Sequence, residues 1–458
     1  MRRRWSRRLA LVPVLVLLAL LATLASACQD ESPPQPTPSG STGGKVVLTL
    51  GVFGSPAVVA AYQSMVDSYN AKAMSVQARL VSWSSSDEMT ADLDSGAATP
   101  DVFLVARGDL AGVIEGERNV PLFDLLAERN ISYGDDYAQT AIEAFSADDD
   151  LQCMPSAISP MVLYYNTDLV DFDTMRERGL PAPADELEGW TFDEFSAAAT
   201  FASRRKDDRG VSISPTLTSL APFLLSGGGS LYDDSTDPTS LALSSSDNLD
   251  TFGTLLPLLR DASVTLSQEQ LDEATPLDYF EQGRLGMIEG FRDLVPELRE
   301  VDGLNFDVMP MPTIGGAATV GEVSGLCISP GEHEQQAADF LVHLISDEST
   351  QALAESGEVV PANLSVARSD AFLQPGQMPE HAGVFNASVD QLVLLPLVDD
   401  ATALDDAVEP LLSELLLSPG VVDTTTVTGE IDEASRSVLD PDYTPSPEPE
   451  TDSESPSS

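Results

Sequence analysis

The chain has 458 residues, 74 of them acidic and 23 basic, for a formal net charge of −51. So large an acidic excess disfavours nucleic acid as a partner, because binding it requires basic surface to neutralise phosphates. The same charge keeps a surface protein soluble and resists close approach to anionic lipid, and it is silent about fold.

Arg2, Arg3, Arg4, Arg7 and Arg8 precede an apolar stretch from Leu9 to Leu24, followed by Ala25-Ser26-Ala27-Cys28. The stretch is shorter than the ~20 residues of a spanning helix, and small residues follow it directly, so 1–27 reads as a cleaved secretory signal. Cysteine at that point resembles the lipobox of bacterial lipoproteins, although the favoured leucine lies at Leu24 and Ala25 takes its usual place. The resemblance implies acylation of Cys28 and attachment to the cell membrane on its extracytoplasmic face. The plainer alternative is an ordinary signal-peptide site with a free Cys28.

Residues 28–45 are rich in Pro, Ser and Gly and read as a flexible tether. Residues 441–458 repeat the theme with Pro, Glu, Asp and Ser and read as a disordered acidic tail. Between them, about 395 residues are too many for one core and suit two domains.

From Val46 the pattern is strand, helix, strand, helix, strand. Val46 to Phe53 is apolar and β-prone; Val58 to Ala71 carries Ala61, Met65 and Tyr69 at helical spacing; Val76 to Trp83 alternates; Asp87 to Leu93 forms a helix; Pro100 to Val105 is a short buried strand. Such alternation predicts an α/β fold with a parallel sheet covered by helices on both faces. Ligands of open α/β sheets bind outside the carboxyl ends of the strands, which here selects Phe53 to Ser55, Trp83 to Ser85 (Ser84 among them) and Arg107 to Asp109.

Besides Cys28 there are two cysteines, Cys153 and Cys327. In an oxidising compartment they are a disulfide candidate; the other reading is two buried thiols acting as small apolar residues. Asp148-Asp149-Asp150 and Asp233-Asp234 lack EF-hand spacing and read as solvated acidic loops, so no metal site is expected.

Further along come Cys153-Met154-Pro155, Leu163-Tyr164-Tyr165-Asn166-Thr167-Asp168-Leu169 and Trp190-Thr191-Phe192-Asp193-Glu194-Phe195. They are followed by Tyr279-Phe280-Glu281-Gln282-Gly283-Arg284-Leu285-Gly286-Met287, Asp307 to Pro312, Gly325 to Ser329, and Gly357 to Asn363. In this order and spacing the segments resemble the extracellular solute-binding proteins of carbohydrate-type ABC importers, of which maltose-binding protein is the familiar member. Two departures stand out: Trp precedes Thr at 190–191, and Gly286 stands where the family has Ala. Thr191 and Glu194 also make a capping box in their own right.

The resemblance implies a two-lobe periplasmic-binding-protein-like fold with crossing hinge strands. It places lobe one at 46–153 and 328–372, and lobe two at 157–325 and 376–440. Because the family's crossing strands are neighbours at the hinge, it implies a Cys153–Cys327 disulfide. It implies a monomer without cofactor that captures a small solute, sugar-like by preference, by hinge closure and delivers it to ABC permease subunits. Positional matching adds Ser159 after the crossing strand, Thr218 with Ser219, Tyr232 near Gly228-Gly229, Phe291 and Arg292, and Glu322 to the ligand-contact candidates.

Each candidate has a bland reading. Trp83 is a stacking platform or a core-rim aromatic; Phe53 and Phe291 read first as packing; Arg107 and Arg292 can bind an anion bidentately, or serve structural ion pairs in so acidic a chain. Tyr164 and Tyr165 read as core. Only Trp83 and Trp190 survive removal of the signal, which makes a sugar ligand less secure than the fold. The three histidines, His333, His343 and His381, sit in no catalytic motif, so an enzyme is not expected. The alternatives to transport are a surface sensor or scaffold lipoprotein with a degenerate cleft, and a carboxylate-based hydrolase.

Overall fold

The computed structural model describes residues 45–444 except Asp148, Glu186 and Asp399. The expected signal segment 1–27, Cys28, the tether up to residue 44 and the tail beyond residue 444 lie outside the described residues. Among the described residues no helix is long and apolar enough to cross a membrane.

Eleven strands are described. β1 (Val46–Phe53), β2 (Val76–Trp83) and β3 (Val102–Ala106) are parallel neighbours. A small hairpin, β4 (Ser146–Ala147) and β5 (Asp150–Leu151), precedes β6 (Met154–Pro160) and β7 (Val162–Asn166). Then come β8 (Arg209–Ser212), β9 (Leu285–Gly290), β10 (Phe306–Met309) and β11 (Gly321–Ile328). They form a five-stranded sheet in the order β2-β1-β3-β11-β6 and a four-stranded sheet in the order β10-β7-β9-β8.

The first sheet follows its sequence closely. β1 pairs with β2 in register from Val46 opposite Val76 to Phe53 opposite Trp83. Leu48, Leu50 and Val52 are fully buried, as the two-residue period of a strand directs. Helix α1 (Pro56–Lys72) starts earlier than its apolar spacing suggests, because Ser55 caps it, accepting from the Val58 amide at 3.2 Å, and Pro56 needs no hydrogen-bond acceptor. Helix α2 (Ser86–Asp94) is capped in the same way by Ser85.

β6 and β11 are the crossing strands, and both stay in the first sheet along their whole length. Met161 and Val320 follow and precede their paired ends, with Met161 N donating to the Val320 carbonyl at 2.8 Å. The pairing of β11 with β6 shifts register between Ser324 and Gly325, opposite Ala157 and Pro155, and continues on both sides of the irregularity. Gly325 is required there: a Cβ would press 3.0 Å from the Phe145 ring. At the far end of the same strands, Cys153 and Cys327 are joined by a disulfide, both fully buried, with Cα atoms 4.4 Å apart. The two-thiol alternative is thereby removed.

The second sheet is packed on both faces. Along β7, Val162 and Tyr164 belong to a cluster continuous with the first lobe's core, while Leu163 and Tyr165 belong to a second cluster under helices 192–202, 217–226, 246–259, 401–417 and 424–439. Trp190 is core in that second cluster, donating to the Pro310 carbonyl at 2.8 Å. The Thr191/Glu194 capping box is present, with Thr191 N donating to Glu194 Oε2 at 2.7 Å. Gly286 has a packing reason, since a Cβ would lie 2.6 Å from both the Ala202 methyl and the Gly210 carbonyl oxygen.

Candidate functional site

The carboxyl ends of β1 and β3 open onto a cavity of 560 Å³, within the range of small-molecule sites. The first lobe supplies Phe53, Gly54 and Ser55 after β1, Arg107 and Gly108 after β3, Ser86 at the start of α2, and Glu358 with Val359. The crossing strands supply Ala157 and Ser159 from β6 and Gly321 to Ser324 from β11. Phe291 and Asp293, on the turn that follows β9, supply the second lobe's share, and Leu397 closes one side. Two other hollows of similar volume, around Gln351 to Gln377 and around Arg178 to Arg204, lie away from these strand ends and face open solvent.

Local structure aims these side chains. Ser55 serves twice, accepting the Val58 amide as helix cap and donating to the Glu358 carboxylate. Arg107 Nη1 donates to the Leu395 carbonyl at 2.8 Å, and burial holds its guanidinium below the usual arginine range. Tyr62 and Ser156 share a hydrogen bond of 2.9 Å behind the cavity, and burial pushes the Tyr62 phenol up to about 12.

The turn after β9 is held by two anchors. Tyr164 donates to the Phe291 carbonyl, and Arg292 is fully buried between the rings of Phe372 at 4.7 Å and Phe385 at 5.1 Å. Arg292 Nη2 donates to the Phe372 carbonyl at 3.3 Å, whereas Nε and Nη1 have no partner among the described residues. With Arg292 turned inward, its neighbours Phe291 and Asp293 turn outward into the cavity.

Two carboxyls in the wall are perturbed. Burial, then the nearby Asp293 charge, holds Glu322 above the usual carboxylate range. Burial, opposed by its own turn's amides and reinforced by Glu297, does the same to Asp293. Among the described residues no group of three or more metal-ligating side chains converges.

A family model described as bacterial extracellular solute-binding protein matches residues 64–380, more than half of the chain. This chain belongs to that family. Among curated proteins, none matches it in sequence. Solved structures share its fold: the sugar-binding protein MalE of Xanthomonas citri, at a TM-score of 0.72 and 13% identity, covers 86% of this chain and 97% of its own. An ABC substrate-binding protein from Listeria monocytogenes in complex with cycloalternan has a TM-score of 0.70 at 19% identity over 86% of this chain and 98% of its own. The cyclic α-maltosyl-1,6-maltose binding protein of Arthrobacter globiformis has a TM-score of 0.68 at 18% identity over 86% and 99%. The two-lobe α/β architecture is thus that of the maltose-binding-protein-like folds.

In this solute-binding protein, six of the sequence candidates meet in one wall: Phe53, Ser55, Arg107, Ser159, Phe291 and Glu322. Phe53 and Phe291 are half-buried and open to the cavity, so packing does not consume them. The other candidates sit elsewhere. Trp83 is on the edge strand, its indole donating to Asp92 at 2.8 Å, and Ser84 is tied to Glu88 at 2.7 Å. Asp109 faces α2, where burial and Asp87 raise its pKa. Thr218 is exposed on its helix, and Tyr232 is buried in the second cluster, its phenol pushed up to about 12 by burial. Arg292 is the clearest correction: its position in the chain is next to the cavity, but its side chain is an internal anchor. Sequence reasoning missed Asp293, which follows the chosen Phe291 and Arg292, and Glu358, which lies in the Gly357 to Asn363 segment.

Proposed function

We propose that this protein is an extracytoplasmic lipoprotein, held by an acylated Cys28, that captures a sugar or oligosaccharide in the cavity and delivers it to an ABC permease. The observation that carries the reading is the 560 Å³ cavity, walled by strand ends of one lobe, by both crossing strands and by the Phe291–Asp293 turn of the other. Residues from both sides can touch one solute only when the lobes are together. A solute of this kind favours the closed arrangement because it binds that arrangement better than the open one. Lobe one comprises 46–160 and 321–372 in this reading, and lobe two 161–320 and the segment from about 390 to 440.

The phenyl faces of Phe53 and Phe291 suit the apolar face of a pyranose, and the hydroxyls of Ser55, Ser159 and Ser324 with the neighbouring carboxylates suit its polar rim. Structural neighbours whose descriptions name cycloalternan and cyclic α-maltosyl-1,6-maltose support a saccharide in particular.

The test is thermal unfolding of the tag-free mature protein against a panel of oligosaccharides, sugar phosphates and small carboxylates. A solute at a hundred times its dissociation constant adds about 2.7 kcal/mol to stability and raises the melting temperature. A rise with a saccharide supports capture. No rise with any member, from a protein shown to be folded, turns the assignment towards a surface sensor or scaffold. Detergent partitioning of wild type against Cys28→Ala tests the anchor: only the wild type enters the detergent phase.

A further inference from the structure

The floor of the cavity is the sheet face shared by β3, β11 and β6, and its chemistry changes along the strands. Side chains two apart in a strand share a face, which groups Leu104 with Ala106 on β3, Glu322 with Ser324 on β11, and Ala157 with Ser159 on β6. The register sets Ala106 opposite Ser324, Ser324 opposite Ala157, and Glu322 opposite Ser159. All six line the cavity. Ser159 and Glu322 form a polar end, next to where β6 runs on towards β7 of the other sheet. Leu104, Ala106 and Ala157 form an apolar end, with Ser324 the polar side chain among them.

The walls carry more apolar surface than a sugar ring uses. Phe53, Phe291 and Val359 are half-buried, and Leu397 is 38% exposed. Leu395 and Val398 pack on the second lobe's cluster and Leu394 on the first, whereas Leu397 packs on neither and lines the cavity instead. Arg107 follows Ala106 and donates to the Leu395 carbonyl at 2.8 Å, which brings this segment to the β3 end of the floor. A pyranose stacks on the planes of Phe53 and Phe291. Leucine, valine and alanine offer no such plane, and their exposed surface is covered favourably by an apolar partner.

Hydrogen-bond donors are scarce in the same wall. Among the described residues lining it there is no Asn, Gln, His, Lys, Thr or Trp side chain. Ser55 donates to Glu358 and Arg107 to Leu395, which leaves Ser86, Ser159 and Ser324 with the remaining N–H groups of Arg107 for the oxygens of a solute. A long saccharide enclosed here would lose water from oxygens that find no donor, and that is costly.

We propose that the solute is a short saccharide carrying an apolar aglycone, alkyl or aryl. Its sugar lies at the Ser159–Glu322 end, and its aglycone covers Leu104, Ala106 and Ala157 beside Leu397. This inference rests on the capture reading and narrows its solute class.

Calorimetric titration of the full mature protein with methyl β-maltoside, n-hexyl β-maltoside and 1-hexanol, all below micelle-forming concentrations, separates the inference from the reading beneath it. The hexyl maltoside binds at least about tenfold more tightly than the methyl maltoside, since each buried methylene tightens binding by about fourfold and only part of the chain needs to be covered. Leu397→Ser, a change at an exposed position, weakens the hexyl maltoside about threefold more than the methyl maltoside. Equal affinity for the two maltosides overturns the aglycone while leaving saccharide capture standing. Hexanol binding as tightly as hexyl maltoside overturns the saccharide part. Equal weakening of both maltosides by Leu397→Ser overturns the placement beside Leu397, and binding of none of the three by folded protein overturns the proposal.

Discussion

In the first lobe β1 and β3 run parallel, so the segments after them, Phe53 to Ser55 and Arg107 to Gly108, emerge side by side in the cavity wall. In the second lobe β10, β7 and β9 alternate in direction, and the wall receives one turn, Phe291 to Asp293. A rule that looks at the carboxyl ends of strands works where all strands point the same way. Where they alternate, the ends divide between two edges, and which edge faces the ligand is decided by packing. Thr218 and Tyr232, chosen in the second lobe by position, are outside the cavity: Thr218 is exposed on the helix after β8, and Tyr232 is buried in the second cluster.

The sharpest way to break this contrast is at Arg292. As an internal anchor, Arg292→Ala empties the space between Phe372 and Phe385 and lowers stability by about 3–5 kcal/mol, read by denaturant unfolding. Arg292→Met keeps the volume and removes a charge with two unpartnered nitrogens, so its cost stays within about 1.5 kcal/mol. A variant that unfolds normally but loses solute binding would restore Arg292 to the site.

In the first lobe the corresponding anchor is covalent. The Cys153–Cys327 bond closes a loop of 174 residues, and replacing both cysteines by alanine costs about 2–5 kcal/mol on the chain-entropy account. Loss of stability below that range would mean that the strands β6 and β11 hold each other without the bond.

Phe291→Ala and Thr218→Ala compare an outward residue of the turn with a rejected candidate of the same lobe. The first weakens, by about fivefold to tenfold, the binding of whichever saccharide stabilises the protein; the second leaves that binding unchanged, both by titration. A Thr218 effect as large as that of Phe291 would reopen the second-lobe assignment.

The smallest effect is a pH dependence at Glu322. Its carboxyl ionises less readily in the fold than in the unfolded chain, so the ionised form carries a penalty above its folded pKa that fades as pH falls through it. The Asp293 charge acts on it, Glu297 acts on Asp293 in turn, and Arg107 and Glu358 line the same wall. Without ligand, Glu322→Gln is therefore more stable than wild type by roughly 0.5 kcal/mol at neutral pH, and the gain disappears in acid. An advantage that grows in acid would contradict the sign.

Local pattern made the first lobe legible. β1 and β2 have the bounds that their apolar periods give, and the helix start at Pro56 was hidden only because capping by Ser55 is a hydrogen-bond decision and not an apolar one. The pairing of Cys153 with Cys327 followed from the order of family segments; the two cysteines alone left it open. Trp83 reads as a platform because it ends a strand, but that strand is the sheet's edge, and Asp92 takes its indole. Arg292 reads as a ligand group because guanidinium is polar; two aromatic rings and the Phe372 carbonyl gave it a place inside instead. Edge position and burial come from the assembled sheet and no window of sequence carries them.

The nesting of the sheets also orders events in time. The four-stranded sheet draws all its strands from one interval, Val162 to Met309, whereas the five-stranded sheet needs β1 to β3 and β6 from one side of that interval and β11 from the other. A chain that emerges from its N-terminus first therefore holds the whole of the inner sheet before the outer one can be finished. Its two cysteines cannot meet until residue 327 has appeared. Of the two sheets, the one that begins the polypeptide is the last to be sealed.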